Sequence, residues 1–349
     1  MAGLAPTASS ERLLALVDRL AGERVLVLAD LVLDRFLTGT PKRISREAPV
    51  LILRYENEAR VPGGGANAIA NIRALGGEPL PVGVVGDDEA GAALVEELAS
   101  RDISTEGIVV VSGYRTPTKT RILAGFPHGS KQQIVRYDVE DELAPAPEIE
   151  GRIAAALATF ADRCRVAVMS DYGYGTARPE RVPTVRQALC ADSRIVADSR
   201  YRLSAFAGLD GATPNEEETE ALAGSRLPAD PGQLAEAVER LRVRLGSAFL
   251  LVTRGSRGML LADARGQLTV PVHGTDQVAD VTGAGDTVIG TFALALAAGA
   301  DPIEAALLAN YAGGVVVMKM GTATLDRTEL VAAIERDRRP LTEARWVAW

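Results

Sequence analysis

Short, continuous apolar runs alternate along the chain with segments of helical spacing that are rich in alanine and leucine. The apolar runs at 24–30, 79–88, 165–171, 194–200 and 249–255 contain many β-branched residues, and each ends in polar residues. Such runs are typical of strands that are buried on both faces. Their alternation with helices predicts a doubly wound, mostly parallel α/β sheet with helices on both faces.

Two stretches break this rhythm, residues 36–61 and 115–138. Both are strand-like but too polar for the main sheet, and the second has the composition of a hairpin that turns near 127–130. We interpret them as a small β lid that stands off the α/β body; a pair of surface loops is the alternative. Exposed lid strands have edges that favour pairing, so we also expect a homodimer through the lid.

The composition is that of a globular protein. The chain has 349 residues, of which 47% are hydrophobic, and it shows no internal repeat. We therefore expect a single domain over 1–349 that includes the lid segments. The net charge of −8 argues against nucleic acid as a partner.

The sequence also lacks the features of a membrane or secreted protein. No apolar run reaches the ~18–20 uncharged residues of a membrane helix. The N-terminal region predicts an amphipathic helix from about Ser10 and has no secretory pattern. Two cysteines, Cys164 and Cys190, are too few for a disulfide framework. We expect both to be reduced in the interior of a cytoplasmic protein without a membrane partner.

Polar residues follow several of the predicted strands. In an open parallel sheet, ligands bind beyond the carboxyl ends of the strands. Asp30, Asp171, Asp198, Asn215 and the pair at 254–255 should gather along that edge. We assign Asp171 to a substrate and Asp198 to a nucleotide.

The stretch DVTGAGDTVIG (280–290) places three small residues in front of an apolar helix. The first N–H groups of a helix lack partners, and small residues let an anion approach them. Gly283, Ala284 and Gly285 therefore predict an anion hole, and Asp286 in the first turn is the candidate general base for a hydroxyl. The alternative is a helix N-cap, which would not require the glycines.

A second glycine cluster, PGGGANA (62–68), precedes another helical segment. It matches a dinucleotide fingerprint only weakly, because it follows the polar lid segment instead of the first buried strand. We interpret it as a turn that lets a sugar lie against the backbone, with Asn67 as donor and acceptor. A turn that is simply tightly packed is the alternative.

PGGGANAIANIRALGG and DVTGAGDTVIG, in this order and at this separation, resemble the two signatures of the ribokinase-like (PfkB) carbohydrate kinases. The resemblance covers roughly residues 22–335 and includes TPNEEE, LVTRGSRGMLL and LLANYAGGVVVMKMGT. It implies a ribokinase-like fold, ATP as phosphoryl donor and Mg²⁺ ordered by Asn215 and Glu218. It also implies nucleotide-binding residues at Asp198, Asn215, Thr253, Arg254, Gly255, Gly258 and Asn310. Dependence on a monovalent cation such as K⁺ would be located near Asp280 and Thr282.

Further stretches, among them RISREAPV and SDYGYG, resemble the members of this family that phosphorylate the anomeric hydroxyl of D-glycero-β-D-manno-heptose 7-phosphate. This resemblance implies that the sugar hydroxyls are held by Asp30, Asp34, Gly64, Gly65 and Asn67. The candidates for the substrate phosphate are the lid cations Arg43, Lys119, Arg121 and Arg136, since a guanidinium matches phosphate geometry. The family's usual D-P-K is replaced here by Asp198-Ser199-Arg200.

Other functions remain open at this level. The same chemistry could act on ribose, fructose, a hexose phosphate or a nucleoside. A sugar-sensing protein on the same fold is an alternative of another class, and a nicotinamide dehydrogenase is a distant one.

Overall fold

The body of the protein is one large, mostly parallel β-sheet. The structure is a computed structural model that describes residues 8–125, 131–160, 162–274 and 279–349. The spatial order of the strands in this sheet is β14-β13-β12-β11-β10-β9-β8-β1-β4-β5. The strands are β1 Arg24–Ala29, β2 Leu31–Ile44, β3 Leu51–Gly64, β4 Glu78–Gly86, β5 Ile108–Val111, β6 Thr118–Ala124, β7 Gln132–Val139, β8 Val166–Asp171, β9 Arg194–Ser199, β10 Gly211–Ala212, β11 Phe249–Thr253, β12 Met259–Asp263, β13 Gly266–Val270 and β14 Arg345–Ala348.

The strands from β5 to β11 in that spatial order are all parallel, whereas β11 to β14 pair antiparallel. The central strands are buried along almost their whole length, which explains why their sequences are continuously apolar and do not alternate.

Helices cover both faces of the sheet, as the sequence predicts. The helices are α1 Ser10–Arg19, α2 Gly65–Ala74, α3 Glu89–Ala99, α4 Pro147–Thr159, α5 Val182–Gln187, α6 Glu216–Ala223, α7 Pro231–Leu245, α8 Ala284–Ala297, α9 Pro302–Val316, α10 Arg327–Arg336 and α11 Arg339–Thr342. One face packs mainly against α1, α2, α3, α8, α9 and α10, and the other against α4, α5 and α7. The two apolar cores are separated by the sheet itself.

Local signals set several helix ends. Asp88 is the N-cap of α3, and its Oδ1 accepts a hydrogen bond from the N–H of Gly91 at 2.7 Å. Gly76 and Gly299 follow α2 and α8 in the left-handed region, with φ of +87° and +86°. Both glycine clusters lie where the sequence predicts them, at the starts of α2 and α8.

The lid is a separate four-stranded sheet with the order β3-β2-β6-β7. It is larger than predicted: β2 begins at Leu31, directly after β1, and β3 ends at Gly64, directly before α2. The lid strands are therefore continuous with the body, because the apolar residues 31–33 are buried at the base of the lid. The predicted turn at 127–130 lies outside the described residues.

The prediction for the two cysteines is only partly correct. Both cysteines are free, but only Cys164 is buried, while Cys190 is exposed; the expectation that both lie in the interior is wrong for Cys190. In the described ranges, no helix combines the length and apolar character needed to cross a membrane.

Candidate active site

A polar cavity of about 400 Å³ opens where the lid meets the carboxyl ends of the central strands. It collects most of the predicted residues: Asp34, Gly64, Lys119, Arg121, Arg136, Asp171, Asp198, Asn215, Glu218, Thr253, Gly283, Gly285 and Asp286. A second, mainly apolar cavity of about 450 Å³ adjoins it and is lined by Gly255, Gly258, Ala284 and Asn310. Thr253, Val281 and Gly285 line both cavities, so one elongated ligand can occupy the two together.

Asp286 lies in the first turn of α8 and is 3% exposed. It does not cap its own helix; the N-cap is Gly283, which makes no side-chain capping bond. Its Oδ2 accepts a hydrogen bond from Asn67 Nδ2 at 3.1 Å, and its Oδ1 accepts one from the hydroxyl of Tyr172 at 2.6 Å. Burial raises the pKa of this carboxyl to about 6, against the two hydrogen bonds, which lower it. A base with this pKa is ionised at neutral pH and can still accept a proton readily.

The glycine turn before α8 has the geometry of an anion hole. Gly283 has a φ of +78°, which favours glycine, and Gly285 has open space where a side chain would stand. The N–H of Ala284 already donates to Val281 at 3.3 Å, whereas in the described part of the chain the N–H groups of Gly285 and Asp286 have no acceptor. The donors available to an anion thus begin at Gly285, beside the base.

The first glycine turn allows a helix and a strand to pack closely. A Cβ on Gly65 would lie 2.4 Å from the Cβ of Ala29, so this glycine is required by the contact between α2 and β1. Asn67 is 1% exposed and lies against the second glycine turn, where its Nδ2 reaches Gly283 O at 3.2 Å as well as Asp286. Of this cluster only Gly64 lines the polar cavity.

Asp30 is not placed as a sugar ligand. Its side chain is fully buried, and its carboxylate accepts backbone N–H groups from the loop after β8, at Tyr172, Tyr174, Thr176 and Ala177. Every hydrogen bond of the Asp30 carboxylate fixes that loop, so its side chain supports the cavity without lining it. Of the two predicted carboxylates, Asp30 and Asp34, only Asp34 lines the cavity, from the lid side.

Asp34 is held between two distant segments. Its Oδ1 accepts a hydrogen bond from Arg121 at 2.8 Å, and its Oδ2 accepts one from the hydroxyl of Thr322 at 2.8 Å. Gly63 is required beside it, because a Cβ there would lie 2.6 Å from the Asp34 Cγ.

Three of the four predicted lid cations line the cavity. Arg121 and Arg136 are direct partners across β6 and β7, and Lys119 lies 4.8 Å from the ring centre of Tyr172. Burial and the neighbouring guanidiniums lower the pKa of Lys119. An anion bound among these three cations would reduce their mutual repulsion. Arg43 is exposed on the outer part of β2 and does not line the cavity, so the structure does not bring it to the site.

The opposite wall of the cavity is acidic. Asp171 is held by Arg202, by Ser199 Oγ at 2.7 Å and by the N–H of Gly173 at 2.9 Å. Burial and the charge of Glu218 raise the pKa of Asp198 well above its ordinary value, and burial also raises the pKa of Glu218. Two half-buried acids that resist ionisation together are the donor set that a divalent cation stabilises.

Asn215 and Glu218 form a capping box on α6. Asn215 Oδ1 accepts the N–H of Glu218 at 2.9 Å, and Glu218 Oε2 accepts the N–H of Asn215 at 2.8 Å. The other Glu218 oxygen has no hydrogen-bond partner among the described residues. In these same ranges, no group of three or more His, Cys, Asp or Glu side chains is placed to hold a metal ion by itself.

The apolar cavity lies between the turn after β11 and helix α9. Gly258 has a φ of +77°, and a Cβ there would lie 2.0 Å from Val270 O, which fixes this turn as glycine. Asn310 lines the cavity and donates its Nδ2 to Pro271 O at 2.9 Å. Arg254 lines neither cavity; its Nε lies 3.9 Å from Glu216.

Sequence reasoning missed several residues that line or support the polar cavity. Tyr172, Arg200 and Thr213 line it, and Thr322 supports Asp34. Thr282, which the sequence analysis named only for a monovalent cation, lines it as well. The signal for Arg200 was present, since it stands at the third position of the altered D-P-K motif. Tyr172 lies in the SDYGYG stretch, but its role depends on contact with Asp286, which is 114 residues away, so the local sequence did not indicate that role.

A buried carboxylate beside free backbone N–H groups, with a cavity lined by cations and an apolar cavity adjoining it, suits the transfer of a phosphoryl group to a hydroxyl. The model of the pfkB family carbohydrate kinases matches residues 24–329. The chain belongs to this family and is an ATP-dependent sugar kinase.

Similar proteins agree with this assignment. The bifunctional protein HldE of Paramagnetospirillum magneticum is 38% identical over 95% of this chain, and that of Mesorhizobium japonicum is 39% identical over 95%. The chain spans about two thirds of the length of these relatives, 67% and 66%. Among solved structures, phosphofructokinase-2 of Escherichia coli has a TM-score of 0.72 at 21% identity, covering 90% of this chain and all of that one. Ribokinase of Arabidopsis thaliana, solved with ribose and ATP, has a TM-score of 0.68 at 20% identity, covering 91% of this chain and 100% of that one. These two structures confirm the ribokinase-like fold.

Proposed function

We propose that the protein transfers the γ-phosphoryl group of ATP to the anomeric hydroxyl of D-glycero-β-D-manno-heptose 7-phosphate. The observation that carries the transfer chemistry is Asp286, a buried carboxylate of raised pKa held beside the free N–H groups of α8. The heptose phosphate is supported by the motifs that resemble heptose 7-phosphate kinases, by the HldE relatives and by the cations of the lid.

In this proposal, the sugar lies between the lid and the body. Asp34 and the backbone at Gly64 face its hydroxyls, and the phosphate of the substrate lies among Lys119, Arg121 and Arg136. Burial and, after it, the neighbouring guanidiniums lower the pKa of Lys119, and an anion at this position would offset both effects. Asn67 and Asp30 act behind the cavity, the first on the base and the second on the loop after β8.

The transfer step follows from the position of Asp286. Its carboxylate accepts the proton of the attacking hydroxyl, the bond from that oxygen to the γ-phosphorus forms, and the bond from the phosphorus to the β-phosphate oxygen breaks. The N–H groups of Gly285 and Asp286 donate to the phosphoryl oxygens as charge develops on them. Arg200, which lines the same cavity, supplies a guanidinium on the nucleotide side.

The nucleotide occupies both cavities, with its base in the apolar one and its phosphates toward Asp198 and Asn215. The acidic pair Asp198 and Glu218 fits Mg²⁺, which would neutralise phosphate charge when bound. For a monovalent cation, Asp280 is the candidate; its two oxygens accept the N–H groups of Thr282 at 2.9 Å and Gly321 at 3.0 Å.

The lid is also the proposed dimer interface of this cytoplasmic kinase. It exposes large apolar side chains, among them Ile44 at 60%, Val50 at 54% and Tyr55 at 66%. Exposed apolar residues on an open sheet favour pairing with a second copy. Sedimentation velocity on the wild type and on Tyr55→Lys tests this: the wild type should be a dimer and the variant should dissociate.

A panel of acceptors with ATP tests the substrate, with ADP release as the readout. Heptose 7-phosphate should exceed ribose, fructose and fructose 6-phosphate in kcat/KM, and the unphosphorylated heptose should lose most of the activity. Near-equal kcat/KM for ribose and heptose 7-phosphate would exclude the heptose assignment. Absence of ADP formation with every acceptor would favour a sugar-binding protein without catalysis.

A further inference from the structure

The apolar cavity contains one ionisable side chain, His273, among the described residues that line it. Most of its other lining is aliphatic or glycine, including Met259, Val288 and Gly314. A cavity of this kind binds a flat base through apolar contact, and its few polar groups fix the orientation of that base. His273 follows strand β13, and its side chain is 12% exposed.

The imidazole of His273 is held in place from three sides. Its Nδ1 lies 3.0 Å from Asp337 Oδ2, between α10 and α11. Its ring packs against Tyr311 with 5.0 Å between ring centres, and the Tyr311 hydroxyl donates to Asp337 O at 2.7 Å. On α9, the backbone of Gly314 lies close against His273, since a Cβ there would lie only 2.9 Å from His273 Cδ2. The ring therefore keeps one orientation.

The partners of the ring decide its tautomer. Asp337 also accepts hydrogen bonds from the Arg339 side chain, and these contacts hold its pKa well below its usual range. Burial lowers the pKa of His273 despite this carboxylate, so the ring is neutral at neutral pH. A neutral ring beside an ionised carboxylate carries its proton on Nδ1 and presents a lone pair on Nε2. Among the described residues, Nε2 has no partner.

We propose that His273 Nε2 accepts a hydrogen bond from the exocyclic amino group of the nucleobase and makes the kinase selective for 6-aminopurine over 6-oxopurine triphosphates. This inference rests on the proposed function, because it assumes that the base of the nucleotide lies in the apolar cavity. A 6-oxo group would set an acceptor against the Nε2 lone pair, and leaving both unpaired costs roughly 10- to 100-fold in affinity. An amino group completes the hydrogen bond instead.

The alternative role for His273 is structural, as a tie between the end of β13 and Asp337. The two roles differ in one measurable respect. A structural tie affects every nucleotide equally, whereas a base-reading acceptor affects only the nucleotide that donates to it.

The experiment compares ATP with ITP, which carries oxygen in place of the amino group. Binding is measured by calorimetry without acceptor, and kcat/KM is measured with the best acceptor, for the wild type, His273→Phe and His273→Ala. We expect the wild type to prefer ATP by about 10- to 100-fold. Both variants should lose most of this preference, because their affinity and kcat/KM for ATP fall while those for ITP stay nearly constant. Ser256→Ala, in the same cavity, is the matched control and should keep the wild-type ratio.

An ATP-to-ITP ratio that is unchanged in both His273 variants would overturn the proposal, and so would an equal loss for both nucleotides. The constant ITP binding also shows that the variants are folded. A wild type that binds neither nucleotide would instead contradict the proposed function itself, so the two failures are distinguishable.

Discussion

The two glycine turns, at 63–65 and 283–285, have similar sequences and start similar helices, but they differ in what surrounds them. At the first turn, a Cβ on Gly63, Gly64 or Gly65 would lie within 2.8 Å of another side chain. At the second, Gly285 has no atom within 4 Å of the same position. The first turn is filled by the protein at all three positions, whereas the second is filled at Gly283, where a Cβ would lie 2.5 Å from Asn67 Nδ2, and is open at Gly285.

This difference shows that glycine content alone does not identify a binding site. In the first turn, small residues allow α2 to approach β1 and Asp34 to remain in the cavity. In the second, they expose the N–H groups of Gly285 and Asp286. The distinguishing feature is the carboxylate in the first helical turn of the open cluster, which α2 lacks.

The largest effect expected at the open turn is that of Asp286→Asn. The variant removes the base but keeps the size of the side chain, and general-base catalysis contributes on the order of 10²–10⁴ in rate. We expect kcat to fall by about 10³-fold or more, with ATP binding by calorimetry close to that of the wild type. A variant with near-normal kcat would exclude Asp286 as the base.

Gly285→Ala tests whether the open space is used. The new methyl group meets no atom within 4 Å, so the fold should be unaffected. If the phosphoryl group approaches this backbone, kcat/KM should fall by about 10²-fold, similar to the loss of one oxyanion donor. Gly151→Ala, in α4 with equal free space, is the matched control and should leave kcat/KM unchanged. Full activity of Gly285→Ala would mean that the turn does not contact the phosphoryl group.

For Gly65→Ala, in the first turn, we expect a loss of stability instead of a loss of activity. Its Cβ would lie 2.4 Å from the Ala29 Cβ, so α2 must shift away from β1. Overpacking of this kind costs about 1–3 kcal/mol, seen as a lower free energy of unfolding in urea. The folded fraction should retain much of its kcat. A stable variant that has lost sugar binding would show instead that Gly65 itself contacts the substrate.

The fold and the location of the site follow from patterns that are local in the sequence. Apolar runs predicted the strands, and the helix starts at 65 and 284 followed from the glycine clusters. The edge rule for parallel sheets correctly brought Asp171, Asp198 and Asn215 to one cavity.

The placements that differ from expectation depend on contacts between distant segments. Asp30 follows a strand just as Asp171 does, but the loop at 172–177 wraps around it, and only the three-dimensional structure shows this. Arg43 is basic and in the lid, but its place far along β2 keeps it away from the cavity. Thr322 reaches Asp34 across 288 residues, a separation at which the sequence gives no local signal.

Tyr172→Phe gives the smallest effect and links the two turns, since Tyr172 packs near Gly64 and donates to Asp286 Oδ1 at 2.6 Å. A hydrogen bond to the ionised carboxylate lowers its pKa, so its removal should raise the pKa of Asp286 above about 6. Because the base acts when ionised, the acidic limb of the kcat/KM profile should move to higher pH.

A shift of about one pKa unit corresponds to roughly 1.4 kcal/mol, and it would lower kcat/KM of the variant by up to about 10-fold where Asp286 is partly protonated. The difference should shrink as pH rises and both enzymes become fully ionised. Tyr174→Phe is the matched control, because its hydroxyl donates to Glu140 at 3.0 Å and makes no contact with Asp286. A uniform loss of activity at every pH in Tyr172→Phe would point to distorted packing, because only a change in the pKa of the base moves the acidic limb.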